Sequence, residues 1–274
     1  PILLISAVFR QEQVFFKPYG RFYKQILFLF RHLFVQDQAS LSLLQQHGIP
    51  HGSISGDTRF DRVEKIAENV SAIPFIEEFI AGKKVIVAGS TWPGDEDILS
   101  HYIQQNRDVK LILAPHEIDA GHVEQIQGKF KKAVLYSGFN TSTDQKTFSE
   151  KQVLIVDCVG LLSRLYAYAS ITYVGGGFTK DGIHNILEAA AWSKPVLFGP
   201  NYKKYREGKE MIAAGGAFSV ATASEFKKIA DDLLTNEGHL QETGFKAKNY
   251  IDENTGATAK IMQVIQEKRL LTNW

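Results

Sequence analysis

The chain has 274 residues, 44% of them hydrophobic and 22% charged, which is material for one large α/β domain or up to two ordinary ones. A net charge of +1 lacks the basic excess of a general nucleic-acid binder, so no nucleic-acid partner is expected. A single cysteine, Cys158, excludes a disulfide framework and a cysteine-built metal site, and no run has the length of a membrane span or the form of a signal peptide.

Short apolar runs alternate with stretches of helical period along the chain, the pattern of parallel sheets flanked by helices. Strands are predicted at residues 2–9, 33–36 and 53–55, with helices at 20–31 and 37–47 between them. Pro1 already lies within the first apolar run, so the chain is expected to begin inside a folded domain of a longer protein. The helix at 20–31 carries Arg21, Lys24, Gln25 and Arg31 on one polar arc and Phe22, Ile26, Leu29 and Phe30 elsewhere. Such a helix suits an anionic membrane surface and suits a domain core as well. Residues 56–62 read as a charged turn, and the polar stretch 63–71 is taken as the domain boundary, giving domains 1–62 and 63–274. Beyond it strands are predicted at 84–88, 109–114, 133–136, 153–157, 171–174, 195–198 and 217–220, and the last 50 or so residues read as helical, with the final helices free to pack back on the first domain. These strands make a complete doubly wound domain, whereas the three before residue 63 make only part of one. Residues 141–151 read as a polar loop.

Ligands of open α/β sheets sit beyond the carboxyl ends of the strands, and four predicted strand ends carry glycine or polar chemistry. Tyr173-Val174-Gly175-Gly176-Gly177-Phe178 is the richest: strand, glycine turn, then a helix expected to start at Ile183 and aim its N–H groups at the turn, where a phosphate would be held. In that helix Asn185, Ile186, Leu187 and Glu188 follow His184, and Glu188 is a carboxylate among apolar neighbours that could accept from a ribose diol or form a structural ion pair. The spacing is not that of a dinucleotide fingerprint. Gly89-Ser90-Thr91-Trp92 could hold a phosphate through Ser90 and Thr91 or cap a helix. Pro115-His116-Glu117 offers a histidine for a phosphate or base, or a structural one. Val159, Gly160 and Leu161, after Asp157-Cys158, could read a base edge with backbone groups. Asp95-Glu96-Asp97 follows Pro93 and fits a first helical turn better than a metal site. Lys180, Lys203, Lys204 and Arg206 lie close in sequence and receive no role.

These strand-end motifs, with Gly56-Asp57-Thr58-Arg59-Phe60-Asp61 and Lys194-Pro195-Val196-Leu197-Phe198-Gly199-Pro200-Asn201-Tyr202, resemble the 3-deoxy-D-manno-octulosonic acid (Kdo) transferases in order and spacing over nearly the whole chain. The resemblance implies an α/β fold of GT-B type, with a complete Rossmann-like C-terminal domain and the remaining part of an N-terminal one. It implies transfer of Kdo from CMP-Kdo to a lipid A precursor on the cytoplasmic face of the bacterial inner membrane, with no cofactor and no metal. Pro115 and His116, Val159 to Leu161 and Asn185 to Glu188 fall where the family holds the cytidine monophosphate, and Arg59 where it has a basic residue that stabilises the transition state. The family's general base and a second acidic site residue precede the segment equivalent to Pro1, so this chain is expected to bind donor without turning it over. Ser6-Ala7-Val8-Phe9-Arg10 departs from the family's asparagine-alanine-arginine pattern, which leaves Ser6 and Arg10 without an assigned role. A GT-B enzyme using a uridine sugar nucleotide, transferase or epimerase, and a non-catalytic nucleotide-binding module are the alternatives.

Overall fold

A computed structural model describes residues 1–68, 71–131, 133–139 and 148–271, so most of the loop expected at 141–151 lies outside the described residues. The chain divides into two compact units, one formed by residues 1–65 with the chain from 252 onward, the other by residues 66–251.

The first unit is built on a parallel three-stranded sheet in the order β1 (Leu3–Ala7), β2 (His32–Val35), β3 (Gly52–Ile54). The middle strand is its apolar centre, with Leu33, Phe34 and Val35 fully buried. Helix α1 (Arg21–Leu27) is shorter than its sequence pattern suggests. The peptide of Arg31 already donates to the carbonyl of Ile2 at 2.7 Å, so the chain must leave the helix to enter the sheet. Leu27 is the buried residue of α1, while Tyr19, Phe22 and Leu29 are each more than 70% exposed. Helix α2 (Gln38–Gln46) is capped by Asp37, whose carboxylate accepts from the Ser40 peptide at 2.7 Å.

Residues 56–62 are not a turn but the entry to helix α3 (Thr58–Glu68), which runs through the expected domain boundary. Gly56, at φ +95°, turns the chain out of β3, and Asp57 then caps the helix by accepting from the Arg59 peptide at 2.9 Å. The charged composition hid an amphipathic period in which Phe60, Asp61 and Val63 face inward. Asp61 accepts from the peptides of Gly256 (2.6 Å) and Thr258 (2.5 Å) at the start of a C-terminal helix (Ala257–Glu267), fastening that helix to the first unit. Burial pushes the Asp61 carboxyl up, but the bonds from Thr258, Gly256 and Ala257 outweigh it and hold the group below the usual carboxylate range.

The second unit is an all-parallel seven-stranded sheet whose strands are β4 (Lys84–Thr91), β5 (Val109–Pro115), β6 (Ala133–Leu135), β7 (Val153–Ile155), β8 (Ile171–Val174), β9 (Val196–Phe198) and β10 (Ala217–Ser219). Their order is β10-β9-β8-β4-β5-β7-β6. Each predicted strand of both units is present, shifted by a few residues at most. Helices cover the sheet: after the short helix α4 (Ile76–Ile80) comes α5 (Pro93–Gln105), whose Tyr102 meets the ring of Phe226 edge-on, as does Tyr173 of β8. From β4 the chain proceeds to β5 on one side, while β8 to β10 build outward on the other, so the order reverses between β4 and β8. Gly89 pairs in register with Val174 there, which sets the turns that follow both strands side by side.

Candidate functional site

At this reversal three loops press backbone against backbone. A side chain on Gly175 would place its Cβ 2.2 Å from the Ser90 carbonyl oxygen, and one on Gly177 would stand 2.4 Å from the Gly199 Cα. Gly176 adopts φ +91°, so each member of the run has its own steric reason to be glycine. Ser90 holds a left-handed φ of +52° where the β4–β5 register breaks between Gly89 and Thr91, an unfavourable conformation that the surrounding contacts impose.

Asp95, in the first turn of α5, ties these loops together. Its fully buried carboxylate accepts from the Tyr173 hydroxyl (2.7 Å) and from the peptides of Gly176 (2.9 Å) and Trp92 (2.9 Å). Burial raises its pKa, and those three donors oppose the rise. Glu96, also fully buried, accepts from the Thr91 hydroxyl at 3.3 Å and meets His122 Nε2 at 2.9 Å and Lys129 at 3.5 Å. Asp97 pairs with Lys129 at 2.7 Å. The acidic run therefore commits its carboxylates to hydrogen bonds and ion pairs within the fold, Glu96 and Asp97 sharing Lys129, and no three candidate metal-binding side chains gather among the described residues.

The turn differs from expectation in which peptides it offers. Gly175 donates to the Gly89 carbonyl at 2.9 Å and Gly176 to Asp95, because the turn must be fastened to β4 and α5 to stay in place. The N–H of Gly177 has no partner among the described residues. Thr91 is likewise spent on Glu96, whereas the half-buried Ser90 hydroxyl has no hydrogen-bond partner among the described residues.

The helix beyond the turn begins later than its sequence suggests. It covers only Leu187–Ala190, because the Asn185 side chain accepts from the Leu187 peptide at 3.2 Å and so starts the helix there rather than at Ile183. Ile186 and Leu187 are fully buried and anchor it, leaving Asn185 and Glu188 as its half-buried polar pair. Asn185 Nδ2 donates to Glu188 Oε1 at 3.1 Å.

Three rings line the mouth. Trp92 stacks on His116 at 4.9 Å and His116 on His184 at 4.4 Å, while the Trp92 indole N–H donates to His184 Nε2 at 3.0 Å. Accepting at Nε2, His184 carries its proton on Nδ1. Burial and the neighbouring His116 push its pKa down, so the ring is a neutral donor. Sequence reasoning noted both motifs but missed this pairing, since Trp92 and His184 are 92 residues apart.

The residues singled out in the sequence are thus distributed as follows. Ser90, Pro115, His116, Gly175 to Gly177, Asn185 and Glu188 gather at the carboxyl ends of β4, β5 and β8. Val159, Gly160 and Leu161 follow β7, beyond β5; Val159 is 84% exposed and Gly160 has φ +89°. Asp157 steadies that loop by accepting from the Ser137 peptide at 2.9 Å and from the Ser137 hydroxyl. Cys158 there is half-buried, its thiol pushed up by burial and by Asp157. Arg59 belongs to the first unit, where its guanidinium grips Asp57 through Nε and an Nη, both at 2.8 Å.

A parallel α/β unit with a glycine turn at its switch point, preceded by part of a second Rossmann-like sheet, defines a fold of GT-B type. Solved structures agree: the UDP-GlcNAc 2-epimerase of Neisseria meningitidis, bound to UDP-GlcNAc, matches 97% of this chain and 69% of its own with a TM-score of 0.62 at 15% identity. The C-terminal CMP-Kdo binding domain of WaaA from Acinetobacter baumannii matches 69% of this chain and 97% of its own, with a TM-score of 0.55 at 21% identity. No family model matches the sequence. Among curated proteins, the 3-deoxy-D-manno-octulosonic acid transferase of Rickettsia bellii is 26% identical over 96% of this chain, and that of Aquifex aeolicus is 34% identical over 55%. The chain is related to the Kdo transferases, and it spans 64% of the Rickettsia bellii protein and 42% of the Aquifex aeolicus one.

Proposed function

We propose that this chain is the donor-binding portion of a Kdo transferase, its second unit holding the cytidine monophosphate of CMP-Kdo while the whole protein moves Kdo to a lipid A precursor. The observation that carries this is the convergence of the glycine turn with Asn185 and Glu188 at the sheet's switch point, in a chain whose curated relatives are named for Kdo transfer. Glu188 has one hydrogen bond from Asn185 and can accept two more from a ribose diol. Departure of CMP leaves charge on the phosphate, and the Gly177 N–H, the Ser90 hydroxyl and the neutral His184 are preorganised donors for it. The Val159 to Leu161 loop supplies exposed backbone for the base. No metal or cofactor enters this scheme. By the resemblance Arg59 adds a cation to turnover, with Asp57 fixing its orientation; no residue of this chain is assigned as the base that takes the acceptor proton.

The acceptor side of the reading includes the cytoplasmic face of the inner membrane. Support comes from Tyr19, Phe22 and Leu29, exposed around Arg21 and Lys24; no helix among the described residues is long and apolar enough to cross a membrane. The deciding experiment is calorimetric titration with CMP, UMP and UDP. Preference for CMP supports the reading, and equal or tighter binding of UDP refutes it in favour of a uridine sugar nucleotide.

A further inference from the structure

Beside the glycine turn lies a cavity of about 540 Å³ lined by Lys180, Pro200, Asn201, Lys203 and Lys204. Three lysines thus line one concavity, with Lys204 Nζ 5.3 Å from the centre of the Tyr205 ring, and among the described residues none of the three has an ion pair with a carboxylate. Elsewhere in this unit the lysines that do pair have acids within 3.5 Å, as Lys84, Lys129, Lys227 and Lys246 show. Like charges gathered without counter-ions cost repulsion that an anion would relieve.

The cavity is part of the same framework as the turn. The Asn201 peptide donates to the Gly177 carbonyl at 2.9 Å, Ile183 donates back to the Asn201 carbonyl at 3.3 Å, and Asn201 Nδ2 reaches the Thr179 carbonyl at 3.0 Å. Gly182 lets the two loops close on each other, since a Cβ there would stand 2.4 Å from the Asn201 carbonyl oxygen and 3.2 Å from Lys204 Cε. The wall that carries the lysines is therefore one hydrogen bond away from Gly177, whose N–H has no partner among the described residues.

We propose that this cavity is an oxyanion subsite, taking through Lys180, Lys203 and Lys204 a second anionic group of a substrate held beside the nucleotide. The inference rests on the CMP-sugar reading and adds to it the place of that second charge. Two sources share the chemistry: the carboxylate of the donor's own sugar acid and a phosphate of the acceptor. Because the side chains are exposed, the attraction is screened by salt, and the full effect belongs to low ionic strength.

The test compares the parent chain with Lys203→Ala/Lys204→Ala and Lys180→Ala, titrated with CMP, with a non-hydrolysable carbon-linked phosphonate analogue of CMP-Kdo and with a glucosamine disaccharide bisphosphate. CMP affinity should be the same in all variants, which also shows that they fold. A donor carboxylate in the cavity predicts that the analogue binds the parent more tightly than CMP does, that the double variant loses about three- to tenfold of this advantage, and that the loss shrinks as salt rises. An acceptor phosphate predicts the same loss for the disaccharide bisphosphate instead. If both probes bind all variants alike while CMP still binds, the subsite is wrong and the nucleotide site stands; if CMP does not bind the parent, both fall.

Discussion

Removing the Asp95 carboxylate should loosen the whole switch point. In Asp95→Ala, the Tyr173 hydroxyl and the peptides of Gly176 and Trp92 lose their acceptor at a place where Tyr173 and Gly176 are sealed from water. A buried donor left unsatisfied costs about 1–3 kcal/mol, so the two sealed donors give roughly 2–6 kcal/mol and the partly exposed Trp92 peptide adds less. Against this, the variant no longer buries a carboxylate, whose desolvation costs several kcal/mol. The net loss is about 2–5 kcal/mol, a large fraction of the 5–15 kcal/mol typical of a domain. Asp95→Asn keeps one oxygen for two of the donors and should lose about 1–3 kcal/mol. Guanidinium unfolding followed by far-ultraviolet circular dichroism reads the stability, and CMP titration at low denaturant reads the loop. Expected are the order parent, Asn, Ala in midpoint and a weakened CMP affinity in both variants. Parent-like unfolding within about 0.5 kcal/mol and unchanged CMP affinity in Asp95→Ala would show that the strut does not hold the turn.

Other consequences are equally measurable. Glu188→Ala should cost CMP about 10- to 100-fold in affinity through the lost ribose bonds, about 1.5–3 kcal/mol, and CMP and 2′,3′-dideoxy-CMP should bind that variant alike. Asp61→Asn should destabilise the first unit by about 1–3 kcal/mol at pH 7. Because the Asp61 pKa is depressed in the fold, its contribution is present above the unfolded carboxyl pKa of about 3.9 and is lost as pH falls towards the folded value, so parent and variant should converge in thermal midpoint in acid. His116→Phe keeps a ring against His184 but removes the neighbouring imidazole that, after burial, lowers the His184 pKa, so the His184 titration midpoint followed by proton NMR should rise towards the ordinary value of about 6.5; an unmoved midpoint would leave burial as the sole cause.

The strands and their ends were readable because each carries its reason locally. Ile86 to Ala88 and Leu111 to Leu113 are continuous apolar runs, as strands covered on both faces must be, Ile171 to Val174 is a β-branched and aromatic one, and glycine at 175 to 177 announces close backbone approach. Helix limits were less legible: a distant pairing, the bond from Arg31 to Ile2, ends α1 early, and a local turn, the Leu187 peptide donating to the Asn185 side chain, delays the later helix to Leu187. The charge of residues 56–62 suggested a turn, yet Asp57 and Asp61 are the cap and inward anchor of α3. Least legible were the ties that give the site its shape. Asp95 read as an ordinary first-turn acid, and nothing local says that it reaches Tyr173 and Gly176, about 80 residues on.

The charge balance at the switch point links the structural and functional readings. An ionised Asp95 on the underside of the turn would repel a bound phosphate, and a unit charge about 8 Å away is worth about 2 kcal/mol at an effective dielectric of about 20. Burial raises the Asp95 pKa, which lessens that opposition, but the group remains an acceptor for three donors and cannot contribute attraction. His184 is held neutral by its surroundings, so it contributes a dipole and no positive charge. The donors described at the turn, the Gly177 peptide, the Ser90 hydroxyl and His184, are therefore neutral. The cations lie one loop further on, where Lys180, Lys203 and Lys204 share a cavity. A ligand with one anionic group at the turn would gain little from them beyond screened long-range attraction. A ligand with a second, displaced anionic group would gain directly, which is why the subsite discriminates between CMP and a CMP-linked sugar acid instead of adding uniformly to nucleotide affinity.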